Sequence, residues 1–192
     1  MTASILVGSV LAVACGGPQA EFNSAWDRSD ESNVERIDHG PWQHVLDTYV
    51  APDSSGVNLV DYAALSGNPS DEAALSGYLE YLQGIDPRDY SRAEQMAYWI
   101  NLYNALTVSV VLDAYPVESI KNIHEGIVPL TGPWGDVHAN VAGQDLTLDN
   151  IEHDILRPVW QDRRIHYAVN CAAYGCPQLA KTAFTAETTA ML

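Results

Sequence analysis

The residues most suited to chemistry lie near the C-terminal end of the chain, in the stretch IHYAVNCAAYGCP at residues 165–177. Alternating apolar positions predict a short strand there, with His166 and Asn170 on one face. Cys171 lies at the end of this predicted strand, and a Gly and a Pro predict a turn around a second thiol, Cys176. The other face of the strand would consist of Ile165, Tyr167 and Val169. We expect any chemistry of the protein here.

A thiol enzyme would use Cys171 as its nucleophile and an imidazole as the base that generates the thiolate. His166 does not face Cys171 on a regular strand, so His153, on a preceding predicted helix, is the better base. Glu152 or Asn170 could orient that imidazole, as the third group of a catalytic triad does.

The two thiols also permit a non-catalytic interpretation. In an oxidising compartment Cys171 and Cys176 can close a disulfide loop, because the four residues between them make the closure geometrically feasible. A loop this short contributes little through chain entropy. If the thiols stay free, Cys176 is the alternative nucleophile. The sequence leaves the structural disulfide and the reactive thiol open.

Metal binding is the third interpretation of these side chains. Their spacing matches no short zinc signature, so we expect no metal and no other cofactor. The side chains of types that zinc accepts are His138, Glu152, His153, His166, Cys171 and Cys176.

Glu152 and His153 lie in the segment NIEHDILRP, residues 150–158, which predicts a short helix closed by its final Pro. A hairpin over residues 137–147, with its turn at residues 143–144, is predicted to precede that helix. The two candidate side chains therefore depend on a strand pair and a helix for their position.

The strongest helical pattern begins at a capping box of Ser91 and Glu94 and ends before Pro116. It is apolar around most of its circumference, so this helix should be central and mostly buried. Asn101 and Asn104 lie close together on it and either pin neighbouring loops by hydrogen bonds or line a cleft. We assign them the structural role.

Shorter patterns complete the scaffold. They predict a helix that begins at Pro41, a strand over residues 57–62, and a second helix from a Ser70 cap to Gly84. Residues 126–135 are rich in Gly and Pro and predict a long irregular loop. Such loops inside a compact domain are typically functional, so this one could contact a partner.

The composition excludes some classes of function. A chain of 192 residues that is 47% hydrophobic and 18% charged should form one folded domain. The formal net charge is −16, from 25 acidic and 9 basic side chains, and no long run of Lys or Arg interrupts the pattern. Binding of nucleic acid, or of an anionic membrane through a basic patch, is therefore not expected.

The N-terminal stretch TASILVGSVLAVA, residues 2–14, is apolar but too short to span a bilayer, as expected of a signal-peptide core. The following residues resemble a bacterial lipobox, in which Cys15 would become the lipid-modified first residue. No Lys or Arg precedes the apolar run, which is atypical of a signal peptide. Residues 16–40 are polar, acidic and without a sustained period, which predicts a flexible tether.

Four separated motifs in the right order resemble a known family, the domain of unknown function number 547, from about Trp42 to the C-terminus. In that family the domain usually continues by some tens of residues, so the chain resembles a domain truncated at its C-terminus. The resemblance implies no reaction, but bacterial members are often secreted or lipid-anchored, which agrees with a lipidated Cys15. The motifs are WINLYNALTV, Gly-Pro-Trp at residues 132–134, VAG with LTLDNIEHDILRP, and RIHYAVNCAAYGCPQL.

We therefore predict a helix-rich, single α+β domain over residues 41–192, with a small, mostly antiparallel sheet and a lipid anchor at Cys15 outside the bacterial cytoplasm. A more distant likeness to papain-like or transglutaminase-like enzymes is fold-level analogy. The first functional hypothesis is a thiol-dependent hydrolase or acyl transferase that acts on peptide or amide bonds. The alternative is a non-catalytic surface module that binds a peptide or protein and carries a Cys171–Cys176 disulfide.

Overall fold

A computed structural model of the protein describes residues 22–123, 132–173 and 175–190. Helices dominate the described residues, and two separate antiparallel sheets of two strands each accompany them. The predicted helix-rich α+β domain is therefore confirmed. In chain order the elements are α1 (Gly40–Tyr49), β1 (Val50–Pro52), β2 (Asn58–Val60), α2 (Tyr62–Ser66), α3 (Pro69–Gln83), α4 (Arg92–Asp113), β3 (Val137–Val141), β4 (Gln144–Thr147), a π-helix (Asn150–Leu156), α5 (Arg157–Trp160), α6 (Ile165–Ala168) and α7 (Ala186–Thr189).

The central helix is α4, as the sequence predicts. Its N-terminus is capped by Ser91, whose hydroxyl accepts a hydrogen bond from the N–H of Glu94. Every residue from Glu94 to Val108 is buried, so the helix contacts the rest of the protein around its whole circumference. Trp99 makes edge-to-face contacts with Tyr98 and with Trp26, at 4.9 and 5.0 Å between ring centroids.

The first half of the fold packs α1 and α3 against this centre. The apolar side chains of α3, Leu75, Tyr78, Leu79 and Leu82, are buried, and its N-terminal cap is Asn68 and not the predicted Ser70. The Asn68 side chain accepts hydrogen bonds from the N–H groups of Ser70 and Asp71. β1 and β2 pair antiparallel with Val50 opposite Val60, so a strand forms within the predicted residues 57–62, but it is shorter, because Tyr62 already begins α2.

The segment before α1 differs from the prediction of a flexible tether over residues 16–40. Residues 22–39 pack along the domain, and the side chains of Trp26 and Ile37 belong to the core. The backbone N–H of Asn23 donates to the carbonyl of Asp154, which ties the start of this segment to the π-helix. The prediction is wrong for these residues because two isolated apolar side chains, without a period between them, provide the anchors. Residues 1–21, with the predicted signal peptide and Cys15, lie outside the described part of the chain.

The predicted hairpin is confirmed, with β3 and β4 paired antiparallel and Val141 opposite Gln144. Its turn is formed by Ala142 and Gly143, one residue earlier than predicted, and both have positive φ angles of 48° and 78°. Left-handed residues at both turn positions match the right-handed twist of the strands.

The helix predicted over residues 150–158 is longer and wider than expected. It begins as the π-helix and continues without a break into α5, which ends at Trp160. Pro158 does not close it, because the helix continues for two residues beyond this proline, to Trp160. Among the described residues, no helix is long and apolar enough to cross a membrane.

The strand predicted at residues 165–170 is wrong, because this stretch forms the helical turn α6. Asp162 initiates the turn: its carboxylate accepts from the N–H of Arg164, and its carbonyl accepts from the N–H of Ile165. Ile165, Ala168 and Val169 are all buried. Their spacing of three and four residues is that of a helix, whereas the alternation that suggested a strand includes the exposed Tyr167.

Candidate functional site

Two buried amides on α4 fix the chain around the predicted site. The Asn104 side chain donates to the carbonyl of Ala168 at 2.9 Å and accepts from the N–H of Asn170 at 2.8 Å. The Asn101 side chain donates to the carbonyl of Phe184 at 2.8 Å and accepts from the N–H of the same residue at 3.0 Å. Each amide therefore satisfies one donor and one acceptor of a neighbouring segment, which fits the structural role assigned to both residues.

Asn170 extends this arrangement into the following loop. Its side-chain oxygen accepts from the N–H of Ala172 at 3.1 Å, and its side-chain nitrogen donates to the carbonyl of Pro177 at 2.7 Å. Cys171 and Cys176 form a disulfide between these points, with 6.1 Å between their Cα atoms. The loop is thus closed twice, once by the disulfide and once by the Asn170 amide.

The backbone of this disulfide loop includes two left-handed residues. Ala172 has a φ angle of 52° and Gly175 a φ angle of 98°. A left-handed conformation costs a residue with a side chain roughly 1–2 kcal/mol, so surrounding contacts must hold Ala172 in place. The hydrogen bond from its N–H to Asn170 and the cross-link of Cys171 supply those contacts.

His166 lies on the surface of α6, directly before the loop. Its ring meets the Tyr167 ring edge to face, with 5.4 Å between centroids, and Tyr167 is 71% exposed. Within the described part of the chain, no hydrogen bond or ion pair joins His166 to Cys171. The bonded cysteines carry no thiol for either imidazole to deprotonate.

Glu152 and His153 lie on the π-helix and have other partners. The Glu152 carboxylate accepts two hydrogen bonds from the Arg157 guanidinium, at 2.5 and 3.1 Å. The His153 ring nitrogen lies 4.0 Å from the Asp149 carboxylate, within ion-pair distance when the ring is protonated. Burial raises the pKa of Asp149, and His153 opposes that rise. Glu152 is therefore paired with a guanidinium and not with the imidazole it was expected to orient.

Tyr103 links this charged cluster to α4. Burial raises its pKa, and the nearby Glu152, with which the phenol shares a hydrogen bond, raises it further. Tyr103 and Asn104 are consecutive on the helix, so one element carries both the partner of Glu152 and the anchor of the disulfide loop. Glu152 lies on the π-helix, and π-helical turns are frequent at functional sites.

Other predicted positions do not join this site. The Gly- and Pro-rich loop at residues 126–135 falls mostly outside the described residues. A ring nitrogen of His138 lies 2.7 Å from the carbonyl of Pro133, beside a cavity of 280 Å³ near the end of α4. The described ranges contain no group of three or more His, Cys, Asp or Glu side chains placed to hold a metal ion.

One part of the site is not predicted from the sequence: the outward face of the turn before the loop. The strand prediction placed Tyr167 on the same face as Ile165, whereas Ile165 is buried and Tyr167 is exposed. The signal that could have revealed it is the arginine pair at residues 163–164, preceded by a capping aspartate in an otherwise acidic chain.

These features define a class of protein: a helix-rich α+β domain whose central helix uses a buried amide to hold the chain that leads into a disulfide loop. The model of the family described as "Protein of unknown function, DUF547" matches residues 87–191, more than half of the chain. The chain therefore belongs to this family, as the sequence motifs predict. The match begins at Pro87 and spans α4 through α7, and so includes the whole site. No curated protein and no solved structure matches the chain.

Proposed function

We propose that the protein is a binding module for a peptide or protein segment, held outside the bacterial cytoplasm by a lipid on Cys15. The observation that carries this proposal is the Cys171–Cys176 disulfide. A thiol hydrolase needs a thiolate as its nucleophile, and a bonded cysteine has none.

The use of the cysteines supports the location. The chain has three cysteines: one in the lipobox-like motif and two in the disulfide. Disulfides persist in oxidising compartments outside the cytoplasm and are rare in reducing ones. A lipid on Cys15 and a bond between the other two cysteines leave no free thiol, as expected of a protein in an oxidising compartment.

The geometry of the loop supports binding over catalysis. His153, Glu152 and His166 have other neighbours, and the described contacts join none of them to Cys171. The loop is held by Asn104 through Asn170, so its shape exists before a partner arrives. Such preorganisation lowers the entropy lost on binding.

The thiol state is the first experiment. The full chain is expressed in a bacterial host, treated with a membrane-impermeant maleimide with and without a reductant, and analysed by peptide mass. We expect Cys171 and Cys176 to react only after reduction and the Cys15 peptide to carry lipid. A Cys15→Ala variant, which cannot be lipidated, is the control for the anchor. Labelling of Cys171 without reductant would favour the hydrolase.

The binding activity needs its own measurement. A displayed library of random peptides is selected against the full chain in detergent micelles, and the selected peptides are resynthesised for titration. We expect peptides that bind the oxidised protein and lose affinity when the Cys171→Ser, Cys176→Ser double variant replaces it. If no peptide of any composition binds, the proposal of a binding module is wrong.

A further inference from the structure

The turn before the disulfide loop and the helix that precedes it contain a third of the few basic residues of a strongly acidic protein. The chain has only nine Lys and Arg residues against 25 acidic ones, and three of the nine lie at positions 157, 163 and 164. Three carboxylates, those of Glu152, Asp154 and Asp162, lie in the same stretch, so it has no net positive charge, in a chain whose net charge is −16. An anionic partner would therefore meet attraction only at a cation that no carboxylate of the protein neutralises.

One of these three cations has no partner among the residues that the structure describes. Arg157 is paired with Glu152, and two nitrogens of the Arg164 guanidinium donate hydrogen bonds to the Asp162 carboxylate, which lowers the pKa of that carboxyl to about 2. Arg163 makes no ion pair and no side-chain hydrogen bond with any residue that the structure describes. Its guanidinium is on an exposed residue and is available to a carboxylate from another molecule.

The backbone places this cation beside two exposed rings. The N–H of His166 donates to the carbonyl of Arg163, and the N–H of Tyr167 donates to that of Arg164, so the segment is a helical turn. Residues three and four apart in such a turn lie on one side. We call Arg163, His166 and Tyr167 the basic–aromatic face; all three residues are exposed.

The basic–aromatic face is held rigidly from beneath. Ile165 and Ala168 on the opposite side of the turn are buried in the core. Asn104 binds the backbone on both sides of Val169, and the disulfide fixes the chain beyond it. An exposed tyrosine on such a support contributes contact area without a large loss of conformational freedom.

We propose that the basic–aromatic face docks an acidic peptide segment of a partner protein. The Arg163 guanidinium would bind a carboxylate through a bidentate pair of hydrogen bonds. An N–H of the His166 ring would donate to a second acceptor, and Tyr167 would pack against the apolar part of the peptide. Arg and Tyr are among the residue types that dominate binding energy at interfaces. This inference rests on the proposed function and names the partner chemistry of the same site.

The test compares three fluorescein-labelled peptides of equal length by fluorescence anisotropy with the oxidised full chain. One peptide alternates Glu and Ser, one Gln and Ser, and one Lys and Ser. We expect the Glu peptide to bind at least about tenfold more tightly than the other two, and high salt to weaken it. Equal or tighter binding of the Lys peptide would overturn the inference.

Two matched variants locate the binding surface. Arg163→Glu should weaken the Glu peptide by about tenfold or more, because it replaces the attracting charge with a repelling one. Lys121→Glu is the control, since Lys121 is also exposed, has no ion pair among the described residues and gives the same change of net charge. Equal losses in the two variants would show a non-specific charge effect and contradict the inference.

Tyr167→Ala separates the aromatic contribution. We expect about a fivefold loss or more for the Glu peptide, with the circular dichroism spectrum unchanged because the ring is outside the core. If Tyr167→Ala and Arg163→Glu both leave the affinity as it is, the basic–aromatic face is not the docking surface.

Failure of the inference can be told apart from failure of the proposed function. If selected peptides bind but are neutral or basic and insensitive to Arg163→Glu, the inference is wrong while the binding module stands. If no peptide binds and Cys171 reacts without reductant, the proposed function itself is wrong.

Discussion

Two irregular segments, residues 22–39 and residues 162–177, are attached to the same core in different ways. The first buries side chains: Trp26, Ile37 and His39 all point inward. The second also buries Ile165, Ala168 and Val169, but in addition Asn104 binds its backbone on both sides of Val169. Because hydrogen bonds to the backbone share the attachment of the second segment, some of its side chains stay free for partners.

The charged and exposed side chains of the two segments agree with this difference in attachment. The first segment satisfies many of its charges within the protein, as in the ion pair of Arg36 with Glu187 and the contact of Arg92 with Asp27. The second presents an exposed tyrosine beside an arginine without an ion pair among the described residues. We infer that residues 22–39 are scaffold and that residues 162–177 carry the function.

The largest expected effect is on the side-chain-anchored segment. Trp26→Ala should lower the free energy of unfolding by about 4 kcal/mol, because the ring is 1% exposed and packs against Trp99. Urea denaturation followed by circular dichroism measures it. Val34→Ala, at a side chain 89% exposed in the same segment, should change it by less than about 0.5 kcal/mol. Similar values for the two variants would contradict the view that this segment is scaffold.

The second prediction concerns the backbone anchor. Asn104→Ala should lower the free energy of unfolding by about 3 kcal/mol, because it removes the hydrogen-bond partner of the Ala168 carbonyl and of the Asn170 N–H. Asn101→Ala is the matched control, since it removes the same pair of bonds from Phe184. Hydrogen exchange should become faster at residues 168–172 only in the Asn104 variant. Equal exchange changes in both variants would mean that the two amides do not anchor separate segments.

The sequence predicts those elements of the fold and of the site that depend on local patterns. α4 was predictable because the cap at Ser91 and the apolar circumference agree with each other. The hairpin was predictable from its turn residues, and the asparagines from their place on a buried helix. Family membership was predictable from motifs that lie around these same elements.

The other features of the fold and the site depend on contacts that cannot be recognised from a local sequence pattern. At residues 165–169 two periods compete, and the capping carboxylate of Asp162 decides for a helical turn. Trp26 and Ile37 are too far apart to give a period. The two cysteines lie in a loop that the Asn170 amide also closes, and Asn170 is bound by Asn104 on a helix far away in sequence.

The third prediction uses pH to test the inward-facing side chains. Burial lowers the pKa of His39 to about 4, against an ordinary value near 6.5, although the nearby Asp38 opposes this. Protonation therefore favours the unfolded chain, so stability present above the unfolded pKa is lost as the pH falls towards 4. We expect a loss of about 2 kcal/mol between pH 7 and pH 5 in urea titrations.

The variant His39→Gln separates the titration of His39 from that of other buried groups. Burial raises the pKa of Glu94 and of Asp149, which act in the opposite direction because their protonation favours the folded state. His39→Gln should therefore lose the fall in stability between pH 7 and pH 5. Parallel pH profiles for the variant and the natural protein would show that His39 does not titrate from a buried position.

The smallest effect concerns the backbone of the disulfide loop. A Cβ atom added at Gly175 or at Gly77 would meet no atom within 4 Å, so substitution by alanine tests conformation alone. Gly175 has a φ angle of 98°, so Gly175→Ala should lower stability by about 1–2 kcal/mol. Gly77 lies within α3, where alanine should raise it by about 1 kcal/mol. Thermal unfolding of both variants measures the difference. If Gly175→Ala is neutral, the loop can move to another conformation, and its attachment through the backbone is looser than that of residues 22–39 through their side chains.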